Sequence, residues 1–218
     1  MKNVRTMISL ALIVLIAIPS LVSCKKGDGD PYLSLYSRKA RLTGDWKVSN
    51  ITQTVKFNRT TITTAFDGEK KTIETYVPDT TVYTATDTLS EYRTFASYTG
   101  SLLYSFDKTG TYQVDEAFIN DTTGIQYTSQ ETGLWYFTGG GRDSDTKYKE
   151  LLGLQTTKYV YNPLNPDTYT LQYDGQGNMK VFHIYKLASK EIEFHYDTEE
   201  TVNLWKVTTS MQMTLKPR

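Results

Sequence analysis

From Trp46 to the C-terminus the chain is a succession of short segments in which apolar and polar residues alternate, separated by turn residues. Their spacing of roughly 8 to 12 residues is that of strands in a barrel or sandwich. A period of two puts one apolar face on each strand, and no long segment with the 3.6-residue period of a helix competes with it. Tyr outnumbers Phe by 17 to 8 and Thr is abundant, and both Tyr and Thr favour strands with half-wet surfaces. The chain therefore reads as all-β, with residues 32–41 as the only helix-like stretch and Leu42-Thr43-Gly44-Asp45-Trp46 opening the first strand.

Two hairpins can be set out residue by residue. Residues 101–107 meet 111–118 across Lys108-Thr109-Gly110, with Gly110 in the left-handed position of a bulged three-residue loop. This register sets Phe106 opposite Tyr112 and Tyr104 opposite Val114, all on one apolar face. Residues 180–187 meet 191–196 through Ala188-Ser189-Lys190. A three-residue loop puts His183 opposite His195, and a two-residue turn at Ser189-Lys190 sends them to opposite faces. Leu134-Trp135-Tyr136-Phe137 reads as a fully buried strand. Between Thr60 and Thr88 the chain is dense in Thr, and strands there would be polar on both faces. They are either an exposed flap or a barrel wall facing a wet interior.

The N-terminus carries a different signal. Lys2 and Arg5 precede an apolar run over residues 7–18, Pro19 breaks it, and Leu21-Val22-Ser23-Cys24 follows. The run is too short for a comfortable span of ~30 Å of hydrocarbon, which points to a cleaved signal peptide over residues 1–23. Residues 24–31, polar and Gly-rich, read as a flexible tether, and 32–218 as the folded domain. Cys24 is the only cysteine. No disulfide, cysteine nucleophile or thiolate metal site can be built without it.

Several function classes find no support. With 24 basic and 24 acidic side chains, net charge +0, there is no electrostatic reason to expect a nucleic-acid partner. Gly139-Gly140-Gly141-Arg142 lacks the Lys-Ser or Lys-Thr of a phosphate loop. No G-x-S-x-G elbow presents a serine, and no carboxylate pair stands out. Two histidines on an open sheet face make a weak metal site. The expectation is a non-enzymatic protein with no catalytic residues, no metal and no cofactor.

Leu21-Val22-Ser23-Cys24 resembles the lipobox of bacterial lipoproteins, which implies lipid attachment at Cys24. Leu42-x-Gly44-x-Trp46 after a short helical turn resembles the opening motif of lipocalins and of lipocalin-like lipoproteins of Gram-negative bacteria. Three further stretches, residues 106–112, 133–137 and 184–192, are similar to that family's later strands, in the same order. The resemblance covers about half of the exported chain. It implies an antiparallel lipocalin-like β-barrel of 8–10 strands with a short N-terminal helical turn, a Thr-rich insertion, and Trp46 plugging one end. It also implies an outer-membrane lipoprotein, on the periplasmic side or the cell surface, with the membrane as partner through its anchor. The fold-motif residues are Gly44 and Trp46. Tyr104, Phe106, Tyr112, Val114 and Trp135 are the expected lining of a pocket for a small amphipathic ligand or glycan. The alternative is a cell-surface module that contacts glycan or protein through its outer strands and has no internal pocket. The sequence departs from the family in its long Thr-rich stretch and in lacking a clear Arg on the last strand to pack against Trp46.

Overall fold

The computed structural model describes residues 37–81, 88–139, 151–162, 169–172, 178–202 and 205–218. Cys24, the residues read as a tether, and residues 140–150, which include Gly140-Gly141-Arg142, lie outside them. One turn of helix, α1 (Arg38–Leu42), is capped by Ser37, whose Oγ accepts from the Ala40 amide at 3.1 Å. Eleven strands follow: β1 (Gly44–Phe57), β2 (Thr60–Phe66), β3 (Lys70–Thr81), β4 (Thr88–Phe106), β5 (Thr111–Asn120), β6 (Gln126–Thr138), β7 (Leu151–Asn162), β8 (Tyr169–Gln172), β9 (Met179–Ala188), β10 (Glu191–Val202) and β11 (Trp205–Pro217).

Ten of these strands close an antiparallel ring in which β1 pairs with β11 and β6 with β7, while β8 pairs along the upper part of β7. Closure leaves each ring strand partnered and turns the period-two apolar face inward. The all-β, lipocalin-like barrel expected from the sequence is the observed fold.

The ring changes width along its axis. At its base β1 pairs directly with β4, from Gly44↔Phe106 to Lys47↔Leu103. Higher up the same two strands part, and the β2–β3 hairpin fills the gap, pairing Ile51–Phe57 of β1 with β2 and the upper run of β4 with β3. The base therefore has two strands fewer than the upper barrel. A bulge in β1 between Val48 and Asn50 marks the fork. The turn at Asp67-Gly68-Glu69 is seated there: Gly68 takes φ +96, and a side chain on it would meet the Ser49 carbonyl at 3.4 Å. The Thr-rich insertion is thus wall, not flap.

The first hairpin has the expected register, Tyr104↔Val114 and Phe106↔Tyr112, with Gly110 at φ +99. In the second, the turn is Ser189-Lys190 alone, yet His183 still lies opposite His195. A register shift between Glu193 and Phe194 absorbs Tyr185 as an extra residue and restores the pairing that a two-residue turn by itself would break. The strand at 134–137 is not buried on both faces. Trp135 is buried, while Leu134 and Tyr136 are exposed on the outer wall.

The core fills the narrow base. Trp46, Phe106, Trp135, Leu152, Ile184, Leu187, Ile192 and Leu215 are all buried, and Leu42 of α1 closes the end. The Trp46 indole N–H donates to the Leu42 carbonyl at 2.8 Å, and that of Trp135 to the Asp107 carbonyl at 3.0 Å, so both rings are satisfied inside the core. No arginine of the last strand is needed there. Arg38 and Arg41 of α1 are buried at this end, with Arg41 donating from Nη1 to the Leu187 carbonyl.

Candidate functional site: an interior cavity

Above the packed base the barrel interior holds a partly open cavity of about 300 Å³. An eight-stranded barrel has an interior just wide enough for side chains to fill it or hold one small ligand. Inserting the β2–β3 hairpin adds circumference at this level. Thr64, Phe66, Lys71 and Ile73 of the inserted strands form one side of the cavity, and Leu102, Tyr104, Glu116, Phe118, Lys180, Phe182 and Met213 are among the residues of the others. The volume lies at the low end of the ~300–1,000 Å³ typical of small-molecule sites. A larger depression of about 610 Å³ lies on the outer wall, bordered by Asp45, Ser105, Gln113 and Thr132. It is shallow and open to solvent, so it would leave a ligand largely in water.

The cavity wall is apolar with a few charged groups set into it. Phe66 and Phe118 pack edge to face at 5.6 Å, and Phe182 contacts Phe194 at 5.7 Å and Tyr196 at 5.3 Å. Two polar clusters interrupt this surface. In one, Glu131 Oε1 accepts from the Tyr112 hydroxyl at 2.6 Å and the Thr156 hydroxyl at 2.7 Å, and Lys180 Nζ lies 3.4 Å from Oε2. Burial by itself would raise the Glu131 carboxyl, but Lys180 and the two hydroxyls outweigh it and hold the group below the usual glutamate range. In the other cluster, the Ser129 hydroxyl donates to Glu116 Oε2 at 2.9 Å, and Lys71 donates to the Tyr127 hydroxyl at 3.0 Å.

Burial is the main reason that the Tyr104, Tyr112 and Tyr127 hydroxyls are pushed well above the usual tyrosine range, and the negative charge of Glu131 or Glu116 adds to it. All three stay neutral and remain able to donate. Tyr104 borders the cavity, enclosed by the wall while its ring keeps surface toward the empty volume.

Of the expected lining residues, Tyr104 is the one that reaches the cavity. Phe106, Tyr112, Val114 and Trp135 point inward as expected but pack the interior beside it: Phe106 against Trp135 at 6.1 Å, and Tyr112 onto Glu131. Gly44 opens β1 at φ +137, and Trp46 is buried at the base. Lys71, Glu116 and Lys180 were missed. Glu116 shares the inward parity of Val114 and could have been found by extending that register. Lys180 likewise shares the inward parity of Phe182 and Ile184, whereas Lys71 stands in a segment that gave no sign of which face it presents. His183 and His195 face away from the core, where His195 stacks on Tyr185 at 5.0 Å and approaches Glu193 at 2.9 Å. Among the described residues no three of His, Cys, Asp and Glu converge on one point.

The fold and site define a class: a closed β-barrel with a packed base and an internal amphipathic cavity. No protein-family model, curated protein or solved structure matches this chain.

Proposed function

We propose that the chain is a lipid-anchored, lipocalin-like binding protein of the outer membrane that holds a small amphipathic ligand and performs no chemistry on it. The observation that carries this reading is the cavity of about 300 Å³, apolar on most of its wall and set with Tyr104, Lys71, Glu116 and Lys180. The anchor rests on Lys2, Arg5, the apolar run and Leu21-Val22-Ser23-Cys24. The family likeness rests on Leu42-x-Gly44-x-Trp46, whose Trp is buried at the narrow end of a closed barrel.

A ligand that binds only the folded state stabilises it by RT ln(1 + [L]/Kd), about 2.7 kcal/mol at a hundredfold excess over Kd. Thermal denaturation of the purified protein against amphipathic small molecules and oligosaccharides, with native mass spectrometry of protein from its own cells, tests the reading. A concentration-dependent rise in Tm or a co-purifying mass is expected. Neither appearing would end the pocket reading in favour of a surface-interaction module. That second reading has its own support in Tyr92 and Phe95 of β4, which are 60% and 73% exposed and bury little in the monomer.

A further inference from the structure

Lys71, Glu116 and Lys180 border the cavity, with Glu131 behind Lys180, and these charges differ in how they are neutralised. Glu131 and Lys180 are matched to each other, with Tyr112 and Thr156 completing the carboxylate. Lys71 and Glu116 are not matched. They come from β3 and β5, on either side of β4, and both border the cavity, yet no ion pair joins them. Among the described residues the ammonium of Lys71 has one hydrogen-bond partner, the neutral Tyr127 hydroxyl, and it lies 4.7 Å from the Phe118 ring centroid. The carboxylate of Glu116 likewise has one among them, the neutral Ser129 hydroxyl.

The wall holds these two groups apart. Lys71 is paired in register with Tyr98, and its chain crosses β4 to reach Phe118 and Tyr127 on the strands beyond. Gly100, which supplies no side chain to this stretch of β4, allows the close approach: a Cβ there would lie 2.8 Å from the Phe118 ring. The Lys71 ammonium thus lies over the Phe118 ring and donates to Tyr127, and no ion pair between it and Glu116 is formed. An ammonium and a carboxylate that border one cavity without a counter-ion among the described residues are a local departure from stable design, of the kind that marks ligand sites.

We propose that the cavity takes a small zwitterion with an apolar body, its anionic group seated on Lys71 and its cationic group on Glu116. This rests on the pocket reading above. The four charged groups of the site, Lys71, Lys180, Glu116 and Glu131, sum to zero. A simple anion would satisfy Lys71 and bring a like charge near Glu116, and a simple cation would do the reverse. A zwitterion satisfies both and leaves the enclosed charge balanced. The Tyr104 hydroxyl, which has no hydrogen-bond partner among the described residues, is available as a neutral donor to the anionic end.

The test uses three probes built on one phenylethyl frame: L-phenylalanine, 3-phenylpropionate and 2-phenylethylamine, titrated into the full-length protein at pH 7 by calorimetry and by thermal shift. Phenylalanine should bind more tightly than either singly charged probe by roughly tenfold or more, a difference of one decade in Kd. Lys71→Met should remove that advantage over phenylethylamine, and Glu116→Gln should remove it over phenylpropionate, each with an unchanged strand spectrum. Equal binding of all three probes overturns the zwitterion assignment and leaves the pocket standing. Tighter binding of either singly charged probe overturns it in the same way. No response to any of the three also overturns it, and the broader ligand screen then decides the pocket on its own. The ranking on the wild-type protein needs no variant to fold.

Discussion

Replacing Trp46 by Ala removes one of the two tryptophans from the narrow base of the barrel. Trp46 is 4% exposed, and its indole N–H donates to the Leu42 carbonyl at 2.8 Å. A buried Trp hides about 200 Å² of surface, which at ~25 cal/mol per Å² is worth ~5 kcal/mol before the residual Ala is subtracted. Measured Trp-to-Ala changes in cores fall at about 3–5 kcal/mol, so the two estimates agree. Trp46→Phe separates the contributions. It keeps an apolar ring in the base but leaves the Leu42 carbonyl without its donor, which costs about 1–3 kcal/mol. Trp205→Ala is the control, because Trp205 is 47% exposed and makes one edge contact with Phe57 at 6.2 Å; its cost should stay below ~1.5 kcal/mol. The assay is urea denaturation followed by far-UV circular dichroism, with m checked for constancy across the series. A loss below ~1 kcal/mol for Trp46→Ala, or equal losses at Trp46 and Trp205, would refute the argument that the base is the packed end.

Four further outcomes are expected. Gly100→Ala places a Cβ 2.0 Å from the Ala117 carbonyl oxygen and 2.8 Å from Phe118 Cα, backbone that cannot yield cheaply, so urea denaturation should show a loss of about 1–3 kcal/mol. Lys180→Met should cost only about 1 kcal/mol, since Lys180 is 37% exposed and solvent screens the pair, whereas Glu131→Leu strips the acceptor from Tyr112, Thr156 and Lys180 and should cost about 2–4 kcal/mol in the same assay. Asp67 and Asp107 are lowered mainly by hydrogen bonds with their own turns, Asp121 by the Ser97 and Thr99 hydroxyls, and Glu131 by the contacts described above. Their folded values lie below the unfolded ones of about 4, so the unfolded chain binds more protons in that window. Stability should hold above that pH and decline as pH falls through the folded values. Asp107→Asn should flatten part of that decline, and an unchanged slope would contradict it. Finally, Cys24→Ser should shift the protein from the membrane to the soluble or unprocessed fraction, and an unmodified Cys24 by intact-mass spectrometry in membrane-purified protein would refute the anchor.

The strand class, the inward face and the first hairpin were legible in the sequence because they depend on neighbours. Alternation along residues 101–118 sets which side chains share a face, and Gly110 sets the turn that aligns them, so Phe106↔Tyr112 and Tyr104↔Val114 follow from local rules alone. The second hairpin shows where such rules stop. A two-residue turn dictates one register, and a bulge at Tyr185 reverses its consequence for His183 and His195. A bulge is chosen by the packing of the whole wall and leaves no local mark. The same limit applies to the cavity. That the Thr-rich insertion opens the ring between β1 and β4 depends on Gly44–Lys47 meeting Leu103–Phe106, residues some sixty apart in the chain. Its inner side chains are Thr64, Phe66, Lys71 and Ile73, two of them apolar, on strands whose Thr-rich sequence by itself reads as polar on both faces. What each strand buries is a property of its own sequence. How wide the ring is, and hence whether its interior is filled at the base and hollow above, is decided only when all the strands close on one another.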